Sequence, residues 1–460
     1  MELNDEVKRP GRNTARPKDA ASPAPEKKPG YAPRAAATKI LAAVVDRKTP
    51  LDGMLDNEHG NGAYRGLSVA DQSLCRALVL TSLRHKPMLD AAITRLLERP
   101  LPSGARALAH VLTIAAAQIL YLDIPDHSAV DIAVEQANAD PRNRRFAGLV
   151  NAVLRRLSRR KDKTLAELEA VSPVPDWFRE RLVEIYGAEK AFAIGRAQLS
   201  PPSIDISVKS DPKGWAEKLG GTVLSTGTIR LDKPSGAVTA MEGFDTGEWW
   251  VQDAAAAIPA RLFGDLSGKR VIDLCAAPGG KTAQLVLQGA EVTALERSKS
   301  RLKRLEQNLA RLQLTAETVC ADMMEYTPET LFDAALVDAP CSSTGTVRRH
   351  PDVLWTKDFS DIGKLAEVQY AMLERALSMV RPGGIVIFSN CSLDPLEGEE
   401  NVARLFAERH DIERTDFAPA TIGPLAHLLD REGAIRTTPA DSIGGITGLD
   451  GFYAAAIRKR

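Results

Sequence analysis

Two cysteines stand where this sequence could carry out covalent chemistry. The stretch DAALVDAPCSSTG ends an apolar strand at Asp338 and places Cys341 in the Pro-containing turn beyond it. The stretch GGIVIFSNCSLDPLEGEEN places Cys391 just past the end of the next apolar strand. A lone cysteine is more often a small core residue. Cys75, in an apolar helical stripe, and Cys320, ending a strand, read that way. Cys341 and Cys391 differ, because each precedes a serine in a turn at a strand's carboxyl end, the edge where open α/β sheets hold ligands. A thiolate there could add to an electron-poor carbon, provided its pKa falls from about 8.5.

The stretch VIDLCAAPGGK, Val271 to Lys281, belongs to the same edge. A short buried strand runs into a small-residue turn with Pro278, Gly279 and Gly280, and a helix follows from Thr282. The small residues let the backbone approach a ligand, and a helix N-terminus offers free N–H groups. A Walker A loop would need glycine six residues before Lys281, where Cys275 stands, and G-x-G-x-x-G is absent. A second strand, EVTALE, ends at Glu296, 23 residues after Asp273. Carboxylates at successive strand ends suit ribose hydroxyls, and the missing phosphate loop disfavours NAD or ATP. S-adenosylmethionine, with a ribose and no phosphate, fits better.

Two thiols beside that cofactor suggest a reaction. C5 of cytosine is not nucleophilic, but thiolate addition at C6 turns C5 into an enamine-like carbon that can take the methyl group. A base then removes the C5 proton and the thiolate leaves. Asp338, near the N3 and amino edge of the ring, could favour attack, and the second thiol could assist proton removal or release. From bare chemistry either thiol could attack.

These residues need a scaffold. The chain has 460 residues, room for about three domains. Lysine plus arginine equals aspartate plus glutamate, 60 against 60, so net charge says nothing about partners. The odd count of five cysteines, without paired metal spacing or an apolar leader, favours a reducing cytoplasm and no bound metal. No stretch reads as a transmembrane span. Residues 1–35, with eight Lys/Arg and five Asp/Glu, read as a disordered Pro-rich tail. Residues 36–160 carry repeated helical periodicity and read as an all-α bundle. From Arg142 to Lys163 there are nine Lys/Arg and one acid, Asp162. In the last helix Arg155, Arg156, Arg159 and Arg160 lie on or near the face opposite Leu149, Val150, Val153, Leu154 and Leu157. That bias suggests an RNA-phosphate surface. Residues 161–245 read as a small α+β linker domain. Residues 246–460 alternate strands and helices, which implies a mostly parallel α/β sheet. The final strand, GFYAAAIR, is expected near the edge and could be antiparallel. A monomer is expected, since nothing resembles a dimer zipper.

The motifs DLCAAPGGKT, VDAPCSSTG with RRHPD after it, and SNCSLDPLEGEEN resemble the RNA cytosine-5 methyltransferases of the Nol/Nop/Sun group. The helices DQSLCRALVLTSLRH, AAAQILYLDIPDHSAVDIAVEQA and FAGLVNAVLRRL resemble the NusB-like RNA-binding domain. Together they point to the Sun (Fmu) branch, bacterial 16S rRNA methyltransferases with a Rossmann-like catalytic domain. The resemblance covers residues 36–460. It implies that Cys275, Ala276, Ala277, Pro278, Gly279, Gly280 and Lys281 line the S-adenosylmethionine loop. Glu296 takes the ribose position, usually Asp in the family, and Asp322 contacts the adenine. Asp338 lies between cofactor and base. Cys391 matches the nucleophile and Cys341 the cysteine linked to product release, although DNA cytosine-5 methyltransferases use a Pro-Cys cysteine that looks like Cys341. Asn390 replaces the usual Thr before the nucleophile. Ser207 and Lys209 replace an Arg and an Asn in the linker strand, so RNA contacts are not expected from that strand. Arg348, Arg349 and His350 follow the Cys341 loop and could meet RNA phosphate. A target cytosine must be single-stranded or flipped out to expose C6. The competing readings are an idle RNA-binding factor and a methyltransferase of DNA or small molecules; salt-sensitive RNA binding separates them.

Overall fold

The computed structural model describes residues 28–102, 104–231, 236–415, 417 and 422–460. The expected N-terminal tail lies mostly outside this set. Its last residues instead open the first helix, and Arg34 is buried there, its Nε donating to Gln118 Oε1 at 2.7 Å.

Among the described residues, seven helices of eight or more residues make the first part: α1 (Tyr31–Arg47), α2 (Val69–Arg84), α3 (Lys86–Leu96), α4 (Arg106–Tyr121), α5 (Asp126–Ala139), α6 (Ala147–Arg159) and α7 (Lys161–Leu168). In α6, Val150, Val153, Leu154 and Leu157 are buried, the i, i+3, i+4, i+7 stripe its sequence encodes. Leu168 of α7 packs into the same core, so the bundle runs past residue 160. The stretch TLAELEAVSPVPDWFRERLVEIYG, whose residues read as helical, is broken at residues 169–175. It resumes as α8 (Asp176–Ala197), which kinks at Gly187, where φ is +76°.

A four-stranded antiparallel sheet follows, β1 (Ile204–Val208), β2 (Gly221–Val223), β3 (Ile229–Leu231) and β4 (Trp249–Val251), in the order β2-β3-β1-β4. Sequence reading did not foresee β4, and it carries this sheet beyond the expected boundary at residue 245. Three residues are too few to show a period, and pairing with β1 makes the strand.

The catalytic part is built on β5 (Arg270–Leu274), α9 (Gly280–Leu287), β6 (Glu291–Leu295), α10 (Lys299–Leu312), β7 (Glu317–Val319), β8 (Phe332–Asp338), α11 (Phe359–Met379), β9 (Val380–Asn390), α12 (Glu399–Glu408), β10 (Ile412–Arg414), β11 (Ile435–Thr437) and β12 (Phe452–Lys459). The strand order is β10-β12-β9-β8-β5-β6-β7, with β11 also pairing with β12. Strands β7, β6, β5, β8 and β9 are parallel. The final strand is antiparallel and near the edge, as expected: it is second from the edge, with β9 on one side and β10 and β11 on the other. Its run FYAAAI is buried throughout. A strand covered on both faces reads as a continuous apolar run. In α10, Leu302, Leu305, Leu309 and Leu312 are buried, and Ser298 Oγ accepts from the Arg301 amide as N-cap. Each such leucine contributes about 2 kcal/mol. That rigid helix backs the small-residue turn after β5.

The segment after Cys341 ties the parts together. Leu51 N–H donates to Asp352 at 3.0 Å, Trp355 Nε1 to the Leu83 carbonyl at 3.2 Å, and Trp177 Nε1 to the Leu354 carbonyl at 3.3 Å. Here the expectation of RNA contacts from Arg348 and Arg349 is corrected. Arg349 lies between Asp253 (2.6 Å) and Asp450 (2.8 Å), and Arg348 is 3% exposed, with the Arg84 guanidinium bonded to its carbonyl. The Arg349 guanidinium is committed to two carboxylates of its own fold, and Arg348 is withdrawn from solvent. His350 is half-exposed and faces Asp52 at 3.7 Å.

Replacing Arg349 with leucine is expected to lower stability by about 3 kcal/mol, because two buried carboxylates lose their counter-ion. Urea unfolding measures this. The salt dependence of RNA binding should stay at the wild-type slope; a shallower slope would restore Arg349 as a phosphate contact.

Candidate active site

Strands β5, β6, β8 and β9 end on one edge. At the end of β5, Cys275 takes a left-handed conformation (φ +65°), and the Ala277–Pro278 bond is cis. Gly279 (φ +101°) caps α9, and a side chain there would press Leu305 of α10 at 3.3 Å. Arg301 donates to the Ala277 carbonyl and Asn308 to the Pro278 carbonyl, both at 2.8 Å, so α10 holds the turn open. Asp273 is fully buried beneath it, accepting from Thr282 Oγ1 at 2.6 Å, and burial pushes its carboxyl up to about 7. Burial, reinforced by the carboxylates of Asp338, Glu296 and Asp273, pushes the Cys275 thiol up to about 12, which leaves it a packing group rather than a nucleophile.

Glu296 directly follows β6, with 3% of its surface exposed. Its Oε1 accepts the Ser298 amide at 2.8 Å, while its buried Oε2 has no hydrogen-bond donor and only Arg301 at 3.4 Å. Asp322, beyond β7, is half-buried, accepts the Met324 amide at 3.0 Å and faces Arg297 at 3.6 Å. Lys281 does not point at a phosphate position. Its ammonium pairs with Asp338 at 2.6 Å, and Ser389 donates to the other Asp338 oxygen at 3.1 Å. This links the β5 turn to β8 and β9.

The sulfurs of Cys341 and Cys391 lie 3.3 Å apart. The Cys391 sulfur beside it, burial and, to a lesser degree, Glu397 hold the Cys341 thiol well above its ordinary range. Cys341 therefore keeps its proton in this arrangement.

The support beneath the thiols went unassigned at the level of sequence. Glu397, fully buried, accepts the Ser342 amide and Gln369 Nε2, each at 2.8 Å, and the Ser342 hydroxyl. Its backbone carbonyl accepts from Asn390 Nδ2, while Asn390 Oδ1 accepts the Ser392 amide at 3.0 Å. Asn390 thus braces the turn on both sides of Cys391. Arg181 of α8 reaches in and holds Asp394 through two bonds of 2.7 and 2.8 Å. The signal for Glu397 was present in LEGEEN, but only the fold shows which of its three glutamates turns inward.

Arg155, Arg156 and Arg159 are exposed on α6, and Arg160 is half-buried near Glu167 at 3.5 Å. Among the described residues they make no contact with the two cysteines. No described helix is long and apolar enough to cross a membrane.

A Rossmann-like sheet with a Gly-containing turn after its first strand and carboxylates at the next strand ends defines an S-adenosylmethionine-dependent methyltransferase domain, here joined to a NusB-like helical bundle. The residues present fit that cofactor, with a small-residue cradle for close approach and a buried Glu296 oxygen free to accept a hydroxyl. The family model for 16S rRNA methyltransferase RsmB/F matches residues 264–458, and that for the NusB family matches residues 32–159. The chain is 32% identical over 447 residues to ribosomal RNA small subunit methyltransferase B of Vibrio vulnificus, covering 93% of this chain and 99% of that one. It is 30% identical over 444 residues to the protein of the same name from Cronobacter sakazakii, covering 93% and 98%. The solved structure of PH0851 superimposes with a TM-score of 0.70 at 20% identity, covering 94% of this chain and 100% of that one. A methyltransferase homolog from Pyrococcus horikoshii gives 0.51 at 24% identity over 61% of this chain and 94% of that one. The chain belongs to the RsmB/F family of 16S rRNA methyltransferases.

Proposed function

We propose that the protein methylates C5 of a cytosine in 16S ribosomal RNA through a covalent cysteine–C6 adduct. The observation that carries this reading is the pair of sulfurs 3.3 Å apart on the edge that also presents Asp338 and the cofactor turn. Cys391, as thiolate, adds to C6 and makes C5 nucleophilic. S-adenosylmethionine, when bound, supplies the electrophilic methyl group. Asp338, oriented by Lys281 and Ser389, faces the N3 and amino edge of the ring and favours addition. A base then takes the C5 proton, the C6–sulfur bond breaks, and Cys391 leaves as the thiolate while the ring regains its double bond. Cys341, which holds its proton at rest, is placed to assist that release. The cofactor lies along Cys275–Lys281, with Glu296 toward the ribose and Asp322 toward the adenine.

The cytosine reaches the thiols from a single strand or flipped out of a duplex. Arg155, Arg156, Arg159 and Arg160 form a phosphate-binding face, with His350 at the junction. The chain acts as a monomer in the cytoplasm. Incubation with labelled S-adenosylmethionine and unmodified 16S rRNA is expected to yield 5-methylcytidine on nucleoside analysis. Label in another nucleoside, or none despite cofactor binding, would overturn the reading.

A further inference from the structure

A second cleft, of about 410 Å3, opens beside the catalytic part. One wall is the end of β1 and the β2–β3 turn, and the other is Arg261 and the outer face of α9. Because α9 starts at Gly280 in the cofactor turn, the wall at Gln288 lies about 12 Å along the same helix. Among the described residues the lining holds two cations, Lys209 and Arg261, and neither Asp nor Glu. The Arg261 guanidinium packs against Gly227, where a side chain would meet Nη1 at 2.6 Å. Among the described residues no acceptor pairs with it, and burial pulls its pKa below the ordinary value. Among the described residues Lys209 donates only to the Leu312 carbonyl, at 3.2 Å. A guanidinium withdrawn from water without a counter-ion is costly, and an anionic ligand removes that cost.

The remaining wall says what the anion carries. Ser225 and Thr226 bring hydroxyls, and Trp250, Ile258 and Leu262 bring an apolar surface. Gln288 donates to the Ala260 carbonyl at 3.0 Å and leaves a buried Oε1 without a donor. Cations for a phosphate, an apolar face for a base or ribose and a spare acceptor together match a nucleotide. We propose that this cleft holds a nucleotide of the substrate RNA away from the target cytosine, its phosphate on Arg261 and Lys209. This rests on the RNA reading above.

The test uses the full chain, unmodified 16S rRNA and the variant Arg261→Gln. RNA binding should weaken and KM rise roughly tenfold, the loss of one charge-assisted contact. The slope of log affinity against log salt should shrink by about 0.7 to 1. kcat and S-adenosylmethionine affinity should match wild type. Lys209→Gln, on a different strand, should repeat the pattern, with thermal unfolding confirming that both variants fold. Wild-type RNA affinity and salt slope in both variants would overturn the proposal while leaving RNA methylation intact. Thermal stabilisation of wild type by inorganic phosphate, lost in Arg261→Gln with RNA affinity unchanged, would reassign the cleft to a free phosphate compound. Failure of the wild-type protein to methylate RNA would instead sink the functional reading itself.

Discussion

Cys391→Ala is expected to abolish methyl transfer, by a factor on the order of 10⁴ or more, together with covalent capture of RNA. The reason is that C5 has no nucleophilic character until a sulfur is bonded to C6, and no other group is placed to supply it. Cys275 is held at about 12 and serves the packing of the turn. Cys341 remains in the variant, where burial and Glu397 still disfavour its thiolate. Trapping with 5-fluorocytosine-containing RNA, followed by denaturing electrophoresis, reads the adduct directly, and S-adenosylmethionine binding should be unchanged. An adduct at full yield in this variant would transfer the nucleophile's role to Cys341.

Cys341→Ala should give the opposite phenotype. Attack by Cys391 and the first methyl transfer survive, but release of the Cys391 sulfur slows by roughly 10² to 10⁴, the range of a lost acid–base group. Protein–RNA adduct should therefore accumulate without a fluorinated base, and turnover should stop near one equivalent of 5-methylcytidine. The 3.3 Å sulfur separation underlies this expectation, since a group that touches the nucleophile can act on the same adduct. Loss of both methylation and adduct in Cys341→Ala would reverse the two assignments. The double variant should resemble Cys391→Ala, because release has no meaning without attack.

The phenotypes also depend on the brace beneath the thiols. Glu397 receives the backbone and side chain of Ser342 on one turn, and its carbonyl receives Asn390 from the other. Asn390 departs from the Thr expected at this position, yet it spans the Cys391 turn with two hydrogen bonds. The substitution therefore keeps the turn ordered by its own contacts.

The catalytic edge was legible in the sequence for a local reason. Apolar runs such as VIDL and FDAALVD must be buried strands, and small or turn-forming residues directly after them must lie at the strand ends. Asp273, Glu296, Asp338, Cys341 and Cys391 were therefore placed on one side of a sheet by chain order alone. The stripe in α6 was legible for the same reason, as Val150, Val153, Leu154 and Leu157 recur at helical spacing.

What only the tertiary structure decided are pairings between residues far apart in the chain, which leave no local period. RRHPD looks like an exposed basic turn until Asp253 and Asp450, 96 and 101 residues away, close on Arg349. The inward turn of Glu397, the insertion of β12 between β9 and β10, and the short strand β4 belong to the same class. So does the contact between the two thiols. Both have the same local sequence, Cys-Ser after a strand, and only the fold brings their sulfurs together. Burial of a segment is encoded in its own residues, whereas the partner of a buried charge or thiol is chosen by the packing of the whole chain.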